Sequence, residues 1–101
     1  MFRSKARIEK NLRRNGSELS RLREELRILA EQRVQLDEEA EDARLRSIVS
    51  DDRAAPGEFR ESAKTAAAFK NDFEAKTARV AKLESRQDEL LDKLRERAGR
   101  D

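Results

Sequence analysis

Two heptad stripes run in opposite senses around one break at residues 50–57, and this arrangement restricts the chain to a folded-back pair of helices. Reading backward from the break, Ala43, Ala40, Leu36, Leu29, Leu26, Leu22, Leu19, Leu12 and Ile8 recur in alternating short steps, interrupted by Arg33 and Asn15. Reading forward, Phe59, Ala66, Phe69, Phe73, Val80, Leu83, Leu90 and Leu94 do the same, interrupted by Ser62, Lys76 and Gln87. Such spacing keeps one face of each helix toward a partner helix. The expected fold class is all-α: an antiparallel two-helix coiled-coil hairpin preceded by a short basic N-terminal helix or arm.

Folding the chain at Ala54/Ala55 pairs Leu26 with Leu83, Leu29 with Val80, Leu36 with Phe73, Ala40 with Phe69 and Ala43 with Ala66. Because both stripes have a period of seven, one matched pair forces the others. The independent support is size, since Ala40 against Phe69 sets small against large as a close-packed core requires. Arg33 then faces Lys76, a weak layer unless both stems lie on the core and their heads reach carboxylates such as Asp37 or Glu74.

Local chemistry places the boundaries. Pro56 suits the first turn of a helix, and Glu58 and Glu61 put negative charge at the positive end of its dipole. Arg95 and Arg97 before Gly99 read as a helix stop. Asn15-Gly16-Ser17 reads as a boundary, with Ser17 capping the helix that follows. The expected organisation is a basic helix or arm over 1–16 and a hairpin over 17–101, with helices near 17–50 and 57–98 and a tip at 51–57.

Charged residues make up 46% of the chain and hydrophobic ones 36%; sustained heptads rich in Ala, Leu, Glu, Arg and Lys argue that this load sits on long helices rather than on a disordered chain. No Cys is present, which removes disulfides and thiolate metal sites. The opening residues lack the apolar stretch of a signal peptide, and the longest apolar run, 66–69, is too short to span a bilayer. The expectation is a cytoplasmic protein, with an Arg- and Ala-rich composition suggesting a high-GC bacterial source. With no His, Cys, Tyr or Trp and no Gly-rich phosphate loop, the chain offers little for catalysis, and no catalytic, cofactor or metal residue is expected.

Net charge is only +2, yet its distribution is uneven. The first fourteen residues set Arg3, Lys5, Arg7, Lys10, Arg13 and Arg14 against the single acid Glu9. That arm is a candidate anion-binding segment, for nucleic acid or an acidic surface, with Phe2, Ile8 and Leu12 as apolar anchors. The competing account is a solvated helix end. The acidic block Asp37 to Asp42 spreads around the helix circumference and cannot converge on one cation. It reads as a solvated face paired in part with Arg44, Arg46, Lys64 or Lys70, with a basic protein partner as the alternative.

Asp51 and Asp52 fall at the expected hairpin tip. In architecture only, paired acids there resemble the transcript-cleavage and stringent-response factors that insert a coiled-coil tip into the secondary channel of RNA polymerase. The resemblance implies acids that act on a magnesium ion held by the polymerase; it covers the hairpin and these two residues, without the globular domain of those factors. Helix capping accounts for the same acids without such a role. Small secreted helical hairpins share the length but carry a Trp-x-Gly turn, and this chain has no Trp.

Six apolar residues fall outside the seam: Ile28, Val34, Leu45, Ile48, Val49 and Leu91. They are the candidate partner-binding residues, because a lone two-helix seam gains little burial and association supplies more. Local packing over Phe59 and Ala63 is an equal account of Ile48 and Val49. The functional expectation is a non-catalytic interaction or assembly protein that self-associates, with a homo-oligomer expected, or docks on a larger complex. Presentation of the tip to RNA polymerase and nucleic-acid binding through the basic arm stand as alternatives.

Overall fold

The structure, a computed structural model, describes residues 4–100, the last of them by its backbone. Two helices account for nearly all of it: α1 is Lys5–Val49 and α2 is Ala55–Arg100, joined through residues 50–54. Among the described residues there is no strand. The fold is the all-α helical hairpin that the opposed stripes require.

The expected boundary at Asn15-Gly16-Ser17 is absent. The cap sits at Ser4, whose carbonyl accepts hydrogen bonds from the amides of Arg7 and Ile8, both at 3.1 Å, while its Oγ accepts from Arg7 at 3.2 Å. Ser4 therefore satisfies donors that the first helical turn leaves open. The basic segment is helical, but it is the opening of α1 and not a separate arm. Gly16 costs about 1 kcal/mol relative to Ala in a helix interior, and tertiary burial on both sides offsets it: Ile8 is 1% exposed and Leu19 4%. α2 likewise runs through Gly99 to Arg100, and no glycine has a positive φ.

At the turn, Ser50 donates its amide to the Arg46 carbonyl at 2.9 Å and ends α1. Asp52 opens α2. Its Oδ1 accepts the Ala54 amide at 2.9 Å, and its carbonyl accepts the Ala55 amide at 3.2 Å. Pro56 lacks an amide hydrogen, so it leaves no donor unsatisfied in this first turn.

The helices divide into two compact units, one drawing on α1 up to Glu25 and on α2 from Lys76, the other spanning Leu26–Ala75. The first, unit 1, has a continuous apolar seam: Ile8, Leu19, Leu22, Val80, Leu83 and Leu90 are buried, with Leu12 and Leu94 half-buried. Each fully buried large side chain contributes roughly 1.5–3 kcal/mol. Unit 2 buries far less. Only Ala43 and Ala55 are buried there, whereas Leu26, Leu29, Leu36, Phe59, Phe69 and Phe73 all remain half-exposed.

The register differs by one heptad from the expected one. Asn15, a polar interruption of the first stripe, is buried in unit 1 and donates through Nδ2 to the Leu83 carbonyl at 2.9 Å and to Gln87 Oε1 at 2.7 Å. The expected pairing sets Leu94 against Asn15. In unit 2 a surface groove is lined jointly by Leu36, Glu39, Glu61, Ser62 and Thr65, which puts Leu36 abreast of Ser62 and Thr65 rather than Phe73. The same shift carries Ala40 from Phe69 to Ser62, Ala43 from Ala66 to Phe59, and the fold point from Ala54/Ala55 toward the loop centre. Neighbouring heptad registers bury nearly the same apolar set, so the polar interruptions decide between them: a buried amide set against Leu94 lacks a partner, whereas Asn15 against Gln87 has one.

Candidate interaction surfaces

Five of the six aliphatic residues outside the seam lie on the α1 stretch of unit 2. Ile28 is 41% exposed, Val34 61%, Leu45 46%, Ile48 65% and Val49 79%; the sixth, Leu91 of unit 1, is 36% exposed. Leu45, Ile48 and Val49 follow the spacing that puts side chains on one helical face, so they form a continuous apolar patch at the end of α1. Local packing does not cover Ile48 or Val49, which are the two most exposed of the set.

Elsewhere on the α1 stretch of unit 2, ion pairs hold polar groups. Arg33 of the seam lies with its guanidinium 5.6 Å from the centroid of the half-buried Phe73 ring and 3.7 Å from Asp37 Oδ2. Its stem thus lies on the seam while its head snorkels. In the acidic block, Glu41 accepts from Arg44 at 2.6 and 3.0 Å. This hydrogen bond holds the Glu41 carboxyl below its ordinary value and raises Arg44. Both side chains are exposed, so the pair adds little to stability.

At the tip, Asp52 is engaged as a cap, with its own amide donating to Ser50 Oγ at 3.0 Å. Asp51 is exposed and its carboxylate has no protein partner among the described residues.

The basic opening occupies the first turns of α1. Lys5, Arg7, Lys10, Arg13 and Arg14 are all exposed and make no ion pair among the described residues. Arg3 and Phe2 lie outside the described residues. Ile8 and Leu12 belong to the seam of unit 1, so they are not free apolar anchors. No acid stands in the first turn of α1, and Lys5 and Arg7 place positive charge at the positive end of the helix dipole.

Two grooves flank the seam of unit 1. One is lined by Asn11, Arg14, Asn15, Glu18, Arg79, Lys82, Leu83, Arg86 and Leu90, and so sets four bases against one acid. The other, lined by Gly16, Leu19, Ser20, Arg23, Glu84, Gln87 and Asp88, has one base and two acids. The bases that α2 contributes to the first groove escaped the sequence reading because they are diluted among acids along the chain; they converge only when the heptad position of each is taken into account.

Among the described residues, no group of His, Cys, Asp or Glu is placed to hold a metal ion, and no helix is long and apolar enough to cross a membrane. Neither a protein-family model, nor a curated protein, nor a solved structure matches the chain.

Proposed function

We propose that the protein is a non-catalytic interaction module that associates through unit 2, either with a second copy of itself or with a larger protein assembly. The observation that carries this reading is the contrast in burial. Unit 1 buries six large aliphatic side chains in its own seam, whereas unit 2 leaves every large seam residue half-exposed and adds five exposed aliphatics on α1. Apolar surface retained in that pattern is removed from water when a further helix packs on it, at roughly 25 cal/mol for each Å² covered. Dimerisation into a four-helix arrangement is the simplest way to supply such a helix.

The test is light scattering with sedimentation velocity on the wild type and on Ile48→Asp/Val49→Asp. Both positions are exposed, so the variant keeps its helicity by circular dichroism. The expected outcome is a defined dimer, or a stable complex recovered by capture from the native cell, that the variant fails to form. A wild type that stays monomeric at high concentration and captures nothing refutes the reading.

A further inference from the structure

We propose that the basic groove of unit 1 binds the phosphodiester backbone of a duplex nucleic acid without reading its sequence. Four bases line it, Arg14 from α1 and Arg79, Lys82 and Arg86 from α2, against the single acid Glu18. That acid is already engaged: Arg79 donates to Glu18 Oε1 at 3.1 and 3.2 Å through two nitrogens. Arg86 lies 3.2 Å from Glu89. Arg14 and Lys82 are exposed and make no ion pair among the described residues, so two cations face the groove uncompensated.

The charge is directional. The second groove of the same unit, across the same seam, holds Arg23 against Glu84 and Asp88. The two grooves of one unit thus differ in the sign of their charge, four bases to one acid against one base to two acids, a contrast that charge needed only for solubility does not require.

Spacing extends the feature into a row. Arg7 precedes Arg14 by one heptad, and Arg79, Arg86 and Lys93 follow one another at the same interval. At 1.5 Å per residue each interval is about 10 Å, so the α2 row is about 21 Å long. A duplex strand presents a phosphate about every 3.4 Å along its axis, and a straight row of cations of this length meets several. Arg suits phosphate oxygens in particular, because its planar fork donates to two at once.

The rest of the composition narrows the occupant. Single-strand binders stack bases on aromatic rings; this chain has no Trp or Tyr, and the three Phe among the described residues, Phe59, Phe69 and Phe73, belong to unit 2. A membrane-surface helix needs apolar side chains beside its bases. The exposed large aliphatic of unit 1, Leu91, does not line this groove. Backbone contact with a duplex needs neither rings nor apolar wedges.

The test uses the full chain and fluorescence anisotropy with a labelled duplex of arbitrary sequence, titrated at several salt concentrations. Deleting residues 1–14 is unsuitable, because it removes the Ser4 cap and the buried Ile8. Charge reversal in the groove, Arg14→Glu/Lys82→Glu, is expected to weaken binding at least tenfold and to flatten the dependence of log K on log salt by about 2, as losing two phosphate contacts does. The equal charge change on the other face, Arg23→Glu/Arg95→Glu, where Arg23 lines the second groove and Arg95 follows its Asp88 by one heptad, is expected to shift affinity less than threefold. If circular dichroism shows the groove variant misfolded, Arg14→Gln/Lys82→Gln makes the same comparison. Absent binding by the wild type at low salt, or equal loss in both double variants, overturns the proposal. So does binding to anionic vesicles or polyglutamate as tight as to duplex at the same salt.

Discussion

Asn15 and Gln87 meet side chain to side chain at 2.7 Å in the seam of unit 1, each interrupting an otherwise apolar stripe. Replacing both with Leu buries more apolar surface and removes a polar layer that discriminates among heptad registers. Asn15→Leu/Gln87→Leu is expected to raise the melting temperature while broadening the species distribution in sedimentation velocity. A single sharp species with the wild-type mass tells against a specifying role for this pair.

The register itself is open to a cross-linking test, which the absence of native Cys keeps clean. Ala40→Cys with Ser62→Cys is expected to form an intramolecular disulfide under mild oxidation, and Ala40→Cys with Phe69→Cys is not. The reverse result restores the unshifted pairing.

The start of α1 predicts an asymmetry between two serines. Ser4→Ala removes the hydroxyl that accepts the Arg7 amide and is expected to cost about 1 kcal/mol. Ser17, exposed in the helix interior, is expected to tolerate Ala with no loss. Gly16→Ala is expected to stabilise by up to about 1 kcal/mol, because a Cβ there meets nothing within 4 Å. Urea denaturation of the three variants decides the matter, and a destabilised Gly16→Ala contradicts the account of an unbroken helix.

How far the residues alone lead is visible in these same positions. Heptad steps from Ile8 to Ala43 and from Phe59 to Leu94 made the hairpin legible, because apolar period and helical period coincide over many turns. The apolar positions outside the seam were equally legible, and all six are exposed. Helix boundaries were not. Asn15-Gly16-Ser17 has strong local turn preference, yet Asn15 uses its amide across the hairpin and flanking burial carries α1 through. Register was lost for a related reason: counting apolar matches cannot rank equivalent heptads, whereas matching the interruptions Asn15 and Gln87 could. The basic groove was hidden because its bases come from both helices and converge only in the correct register.

Burial predicts unequal costs for two Leu residues. Leu90 is 1% exposed, and Leu90→Ala is expected to cost about 2–5 kcal/mol, the range for a fully buried Leu. Half-exposed Leu36 is expected to cost less under the same change. Equal losses by chemical denaturation contradict the difference in packing between the two units.

The Glu41 carboxyl, held low by its hydrogen bond from Arg44, gives a signed pH effect. A depressed folded-state value means that the small stabilisation is present above the ordinary Glu range and disappears as pH falls through the folded-state value. Carboxyl-detected NMR titration is expected to return Glu41 toward the ordinary Glu value in Arg44→Gln. An unchanged titration removes Arg44 as the cause.

The thin interior of unit 2 also bears on how its backbone opens. Amides there are expected to exchange with deuterated solvent well before those around Leu19 and Leu90, since local opening is easiest where few apolar contacts resist it. Any molecule that settles on that stretch slows the exchange in proportion to how tightly it holds. The unprotected half thus acts as its own reporter, and a candidate binder can be recognised by which amides fall silent.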